Sequence, residues 1–489
     1  MKYRVLAFTL VFFVMIAFLA ACGVTEPSPT LPPPPTPLTD GPPPPIVVEG
    51  VTVAADEGVR ETAVAESSPT PVETPTLAPT ATPTELPEPV INPAQMPAIN
   101  NDLLFVGNGK LKRWQRDGQV VTLLDGDVVD YSLSADGKRA IVAQLVASTE
   151  ISNTVTAVTQ TVKTYAMNYV NLETGDTQLL IPAIYSFIEP SFQLSQDGRH
   201  LAISGLGLGD PESLTLGEKV LNELYVMEIG TGQPPKKVHE CGFYCEGIVW
   251  HQDNNLFVFG SDDGLFLYNL AGKEPELLLR GEPEFAYNQR YRPLSWAKNG
   301  RWLMVLNQGY IEGVVDTAIF DVPTKQLMPI PYAFLLSGTG THQRELTWMT
   351  DDRVFLTLLK ARPSVRVLGE TYRVNQDAGE MQLDETVVLI EALMQPLAPM
   401  HWENGRFGYG LFERNHPENG LYQRTAFNEP PERVSDMPTE MPDEIVWAPD
   451  NSGAVMQVAG GVYYAPVGGE LVDLKTAVGL TGHNFTWLP

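Results

Sequence analysis

Tyr131-Ser-Leu-Ser-Ala-Asp-Gly-Lys-Arg-Ala-Ile-Val-Ala is an apolar run, a polar turn and a second apolar run. The same order returns at Phe192-Gln-Leu-Ser-Gln-Asp-Gly-Arg-His-Leu-Ala-Ile-Ser, Val249-Trp-His-Gln-Asp-Asn-Asn-Leu-Phe-Val-Phe and Ser295-Trp-Ala-Lys-Asn-Gly-Arg-Trp-Leu-Met-Val-Leu. Further copies start at Thr347-Trp-Met-Thr-Asp-Asp, Met400-His-Trp-Glu-Asn-Gly and Val446-Trp-Ala-Pro-Asp-Asn. A bulky residue marks each copy: Leu133, Leu194, Trp250, Trp296, Trp348, Trp402 and Trp447, at intervals of 61, 56, 46, 52, 54 and 45 residues. Such intervals hold four short strands with their loops, the repeat of a β-propeller blade. Asp-Gly and Asn-Gly supply the positive φ of a tight hairpin. A third strand such as Leu265-Phe-Leu-Tyr-Asn-Leu follows the hairpin, and turns such as Glu173-Thr-Gly-Asp and Gly230-Thr-Gly-Gln lead to a fourth.

The two ends of the repeat region complement one another. Phe485-Thr-Trp-Leu-Pro489 carries an eighth anchor, Trp487, with nothing after it, and the stretch from Asn100 to Trp114 is a blade without its first strand. Pairing them closes a ring and hides the strand edges that an open array exposes to aggregation. The expected fold is therefore all-β: an eight-bladed propeller over 98–489, closed by a C-terminal strand. Seven blades is the alternative, because the copy at Trp402 is the least regular.

The repeat resembles that of TolB-type (PD40, WD40-like) propellers, in which an aromatic residue precedes Ser-Pro-Asp-Gly and a short hydrophobic strand. Trp447-Ala-Pro-Asp and Leu194-Ser-Gln-Asp-Gly come closest, and the resemblance covers essentially all of 99–489. The Gly-His and Trp-Asp pairs of true WD40 repeats are not evident. The resemblance implies a non-catalytic interaction platform. Other members of the family are propeller halves of serine peptidases. No Gly-x-Ser-x-Gly elbow occurs in this sequence, and no segment large enough for an α/β-hydrolase domain remains.

The N-terminus has a different composition. Lys2 and Arg4 precede an uncharged apolar run from Val5 to Leu19, which is short for a membrane span of roughly 20 residues. The run ends in Leu19-Ala20-Ala21-Cys22-Gly23, which resembles the lipobox of bacterial lipoproteins. That resemblance implies a signal peptide over 1–21 and acylation of Cys22, hence a lipid anchor on the extracytoplasmic side of a bacterial membrane. Of the 42 prolines, 20 fall between residues 23 and 97. This Pro/Thr-rich segment has almost no aromatic residues and too little apolar surface to offset its ordering entropy. The expectation for 22–97 is a disordered tether, on the order of 200 Å when extended as polyproline II.

The 489-residue chain is 43% apolar, enough for a large core, and its formal charge is −27, from 59 acidic and 32 basic residues. That balance argues against nucleic-acid partners and favours basic ones or cations. No cofactor motif is present: Gly205-Leu-Gly-Leu-Gly209 does not match a nucleotide loop and reads as a flexible hairpin, and the seven histidines are scattered without metal-ligand spacing. Asp262-Asp-Gly reads as a plain turn rather than a calcium site. No catalytic or metal-binding residue is assigned.

The remaining signal is Cys241-Gly-Phe-Tyr-Cys245. With Cys22 acylated, two cysteines are left in a compartment that permits disulfides. A Cys241–Cys245 bond would hold Phe243 and Tyr244 in a link between two blades. In propellers these links share a face with the loops between second and third strands, where Val146–Lys163, Leu206–Leu221 and roughly Asn307–Asp316 carry insertions. Phe243, Tyr244 and Tyr310 are therefore the candidate contacts of a recognition face. The expected function is to bind an envelope or extracellular protein or glycan. The competing reading is an extracytoplasmic glycosidase or lyase acting on polysaccharide at the channel mouth.

Overall fold

The computed structural model describes residues 96–152, 159–209, 221–281, 290–308, 314–336, 346–360, 366–392, 394–459 and 461–489. Cys22, the Pro-rich segment to residue 95, Tyr310, residues 210–220 and the middle of the other two insertions lie outside the described residues; most of Val146–Lys163 is not a loop but prolongs the paired strands Arg139–Ser152 and Thr159–Asn171. Among the described residues, eight antiparallel sheets follow one another along the chain, each built on a four-strand meander and the second extended by a short fifth strand. The innermost strands of blades 2 to 8 are Val128–Leu133, Phe192–Leu194, Cys245–Trp250, Arg290–Trp296, Leu346–Thr350, Gln395–His401 and Glu444–Trp447. Blade 1 is completed by the last strand, His483–Trp487, which pairs antiparallel with Leu103–Gly107 through Leu103↔Trp487 and Leu104↔Thr486. The ring is eight-bladed and closed by its C-terminal strand.

Alternation along each strand sends apolar side chains to both faces of a blade, and each blade buries those faces against its neighbours. Every pair of adjacent blades shares a hydrophobic cluster as a result. The cluster between blades 3 and 4, for instance, joins Leu224 and Val226 to Phe257, Phe259 and Tyr268.

The tryptophans that mark the repeat are clasps between blades. The indole N–H of Trp250 donates to the Gln193 carbonyl of the preceding blade at 3.0 Å, that of Trp296 to Val249 at 3.3 Å, and that of Trp487 to Val446 at 3.0 Å. Trp348 donates to the Ser295 hydroxyl at 3.1 Å, and Trp447 to the Ala398 carbonyl at 2.9 Å. Each ring thus has its one donor satisfied, with the bodies of Trp250, Trp447 and Trp487 buried and those of Trp296 and Trp348 half-buried. Trp402 is the exception. Its amide bonds the Arg406 carbonyl and its carbonyl accepts from Gly405, the pattern that Ala297 and Ala448 make one residue after Trp296 and Trp447. His401 therefore holds the anchor position in blade 7. Trp402, displaced by one residue, is buried and donates forward to Ala448 at 3.0 Å. This offset accounts for the irregular copy.

The polar turn after each anchor is built by its own side chains. In the second copy the fully buried Ser195 hydroxyl donates to Asp197 at 2.6 Å and accepts from the amides of Arg199 and His200 at 3.1 and 2.9 Å. Gly198 closes the turn at φ 70°, and a Cβ there would lie 2.6 Å from the Arg139 side chain of the neighbouring blade. Glycine is needed for both reasons. The glycines at 205–209 do not form a free hairpin: Gly207–Leu208 crosses to blade 2 and pairs with Ile184 and Tyr185, as a fifth strand of that sheet.

A candidate binding cleft at one channel mouth

The innermost strands of blades 2 to 5 and the links between blades 2 and 3 and between blades 3 and 4 enclose an open cleft of about 460 Å³. Asp130, Glu189, Asn222, Phe243, Glu246 and Arg292 are among the residues that line it.

One wall is the link that carries the cysteines. Cys241 ends the strand Lys236–Gly242 and Cys245 begins the strand Cys245–Trp250; the two are joined by a disulfide, with Cα atoms 5.3 Å apart. Three further interactions fix this link. The Phe243 amide donates to the Asp262 carboxylate at 2.6 Å, and the Asn222 side-chain amide donates to the Phe243 carbonyl. The Arg290 guanidinium stacks on the Tyr244 ring, 3.2 Å from its centroid, with its Nε 3.7 Å from Asp262. Asp262 thus organises a turn and ties down the link. The outcome for the two aromatic side chains differs. Tyr244 is half-buried beneath a cation, whereas the Phe243 ring is 60% exposed on a rigid backbone. Ile188, also 60% exposed, lines the same cleft from the link between blades 2 and 3.

The other walls are polar, and several of their neutral groups are committed to the frame. The Ser132 hydroxyl accepts from the Leu194 amide at 3.0 Å, Gln193 Oε1 from the Trp250 amide at 3.1 Å, and the Ser204 hydroxyl donates to the Cys245 carbonyl at 3.1 Å. The Tyr131 hydroxyl donates to the Leu104 carbonyl at 3.0 Å.

The charged groups are less occupied. Asp130 accepts from the Tyr131 amide at 2.8 Å and from the Asn484 side chain at 3.1 Å, both at Oδ1. Burial pushes its carboxyl up to about 6, helped by the nearby charges of Glu189 and Glu444 and opposed by those two hydrogen bonds. Glu189 and Glu246 make no ion pair or side-chain hydrogen bond among the described residues, and neither does Arg292. Among the described residues, the lining thus holds three carboxylates against one guanidinium. Among the described residues, no three His, Cys, Asp or Glu side chains are grouped to hold a metal ion.

Of the candidate contacts read from the sequence, Phe243 and Tyr244 come together on this cleft with both cysteines beside them; Tyr310 lies outside the described residues. Asp130, Glu189, Glu246 and Arg292 were not anticipated. The signal was nevertheless present. Asp130 stands three residues before its anchor Leu133, and Glu246 and Arg292 stand four before Trp250 and Trp296. A charge at that place in an innermost strand lies at the channel.

The fold and the cleft define an eight-bladed β-propeller with a polar, net acidic site at one channel mouth. No family model matches the chain, and no curated protein matches it. Solved structures similar to it include TolB from Acinetobacter baumannii, at 14% identity and TM-score 0.33, covering 60% of this chain and 64% of that one. Dipeptidyl peptidase 4 from Porphyromonas gingivalis is similar at 10% identity and TM-score 0.49, covering 81% of this chain and 59% of that one. The propeller domain of the Trilobed protease from Pyrococcus furiosus is similar at 12% identity and TM-score 0.38, covering 71% and 94%. The chain spans less than two thirds of the length of the TolB and dipeptidyl peptidase chains. Identities this low concern the fold alone, and the eight-bladed ring stands on this chain's own strand pairings.

Proposed function

We propose that this chain is a lipid-anchored, extracytoplasmic binding protein: acylated at Cys22, held off the membrane by the Pro-rich segment, and binding a protein or glycan with its propeller. The observation that carries the binding assignment is the cleft itself. A disulfide-linked, hydrogen-bonded link presents Phe243 at its edge, and a large exposed aromatic side chain on a fixed backbone loses little entropy on contact. The lipobox supports the anchor and the compartment. The test is capture of envelope proteins and wall polysaccharide by the full chain and by Phe243→Ala. Loss of a specific partner from the variant supports the assignment, and an unchanged capture profile refutes it. Labelled fatty acid incorporated by the wild type and absent from Cys22→Ser tests the anchor.

One observation favours a second reading, a polysaccharide-cleaving enzyme. Asp130 holds its proton to about 6 with Glu189 nearby, and a raised carboxylic acid beside a second carboxylate is the equipment of glycoside hydrolysis. Wall polysaccharide shortened by the wild type and left intact by Asp130→Asn would move this reading ahead.

A further inference from the structure

The groups left unoccupied in the cleft identify the chemistry of its ligand. Neutral donors and acceptors do most of the work in a site built for an uncharged polar ligand. Here the neutral side chains of Ser132, Gln193, Ser204, Asn222 and Tyr131 already bond the frame. Apart from the Ser186 and Ser191 hydroxyls, what remains is of two kinds. Carboxylates of Asp130, Glu189 and Glu246 come from blade 2, the link after it, and blade 4. Exposed apolar side chains of Ile188 and Phe243 stand on the two links at the rim. Among the described residues, Arg292, from blade 5, is the one cation in this lining, and its Nε is buried without a hydrogen-bond partner.

We propose that the cleft takes a lysine or arginine side chain of a partner polypeptide, held among Asp130, Glu189 and Glu246, with an adjacent apolar residue of that segment resting on Phe243 and Ile188. This rests on the binding function proposed above and specifies its ligand. A basic group is the charge complement of three carboxylates facing one guanidinium, and the whole chain's charge of −27 steers basic partners toward it. Ile188 favours a peptide over a sugar, because a branched aliphatic group offers contact to an apolar side chain and no planar stacking surface, whereas the Phe243 ring serves either.

The cleft also predicts a pH response. Asp130 is faced by Glu189 from the link, Glu444 from blade 8 and Asn484 from the closing strand, and its proton leaves near 6. The ligand's cation is therefore held more tightly above that pH than below it.

The experiment uses the full chain in detergent micelles and positional hexapeptide pools in which one position is fixed as Lys, Arg, Glu, Leu or Thr. At 0.15 M salt, the Lys and Arg pools should be retained at least ten-fold over the Glu pool. Asp130→Asn with Glu189→Gln should remove that preference, and lowering the pH from 7.5 to 5 should weaken it. Should the double variant fail to fold, as circular dichroism would reveal, Glu246→Gln alone should reduce the preference several-fold. Equal retention of the Glu pool, a basic preference that survives loss of the carboxylates, or retention of amino-sugar glycans in place of peptides overturns the proposal. If Phe243→Ala abolishes capture of an envelope partner while no basic preference exists, the binding function stands and this ligand assignment alone fails.

Discussion

Replacing Asp130 with asparagine should stabilise the propeller at neutral pH and leave it little changed in acid. The ordinary carboxyl value is 3.8 and Asp130 is held at about 6, so between those values the folded chain binds a proton that the unfolded chain has released. Stability from this group is complete below 3.8 and is lost as pH rises through 6. The full difference corresponds to a ceiling of about 3 kcal/mol, of which about 2 kcal/mol falls between pH 4.5 and 7.5. Asp130 keeps some contact with the water of the cleft, and screening brings the expected change to about 1–2 kcal/mol. Asparagine carries no charge to desolvate, and its side-chain oxygen accepts the Tyr131 amide as the carboxylate does. Urea unfolding of both chains at intervals from pH 4.5 to 7.5 reads the effect directly, because every other titrating group is shared and cancels in the difference. The variant's advantage should grow with pH. A difference that stays constant across the range, or that shrinks toward neutrality, would refute the claim that a desolvated carboxylate sits at the channel mouth. A cost in stability retained at a cleft is what a site arranged for a ligand shows, since the ligand supplies the missing counter-charge.

The other predictions concern the frame. Ser195→Ala removes a fully buried hydroxyl that serves two amides, and should cost about 1–2 kcal/mol in urea unfolding without altering partner capture. Trp487→Ala removes both the clasp to Val446 and a buried ring from the closing strand, for a loss of roughly 3–5 kcal/mol. If its melting temperature matches that of the wild type, ring closure does not depend on this strand. Exchanging Cys241 and Cys245 for serine opens a short ring whose closure contributes roughly 2 kcal/mol, and frees the link that carries Phe243. Both the urea midpoint and partner capture should fall, whereas loss of stability with undiminished capture would remove the link from the recognition surface.

The fold was legible because every blade solves the same problem. Each must bury two apolar faces, seat a bulky anchor and turn a tight corner, so the same residue types recur at the same places. A single copy such as Ser195–Gly198 already states the rule. The blade-7 copy misled only in register. Trp402 is the conspicuous residue there, yet the anchor position falls on His401, a substitution that composition alone does not reveal. The cleft obeys no such repetition. Asp130, Glu189, Glu246 and Arg292 each occur once, on different elements, and only the closing of the ring brings them to one place. Counting back from the anchors shows where to look. Three or four residues before them stand Asp130, Glu246, Arg292 and Glu444 in blades 2, 4, 5 and 8, whereas blade 7 offers Leu397 and Ala398 before His401. Nothing in blade packing asks for charge at those positions, since the innermost strands already bury their anchors and inter-blade neighbours. In a scaffold whose repeats are set by packing, side chains that depart from the repeat at channel-facing positions are free to be chosen by a ligand. That asymmetry, charged in blades 2, 4 and 5 and apolar in blade 7, is why the search for a partner begins at the mouth between blades 2 and 5.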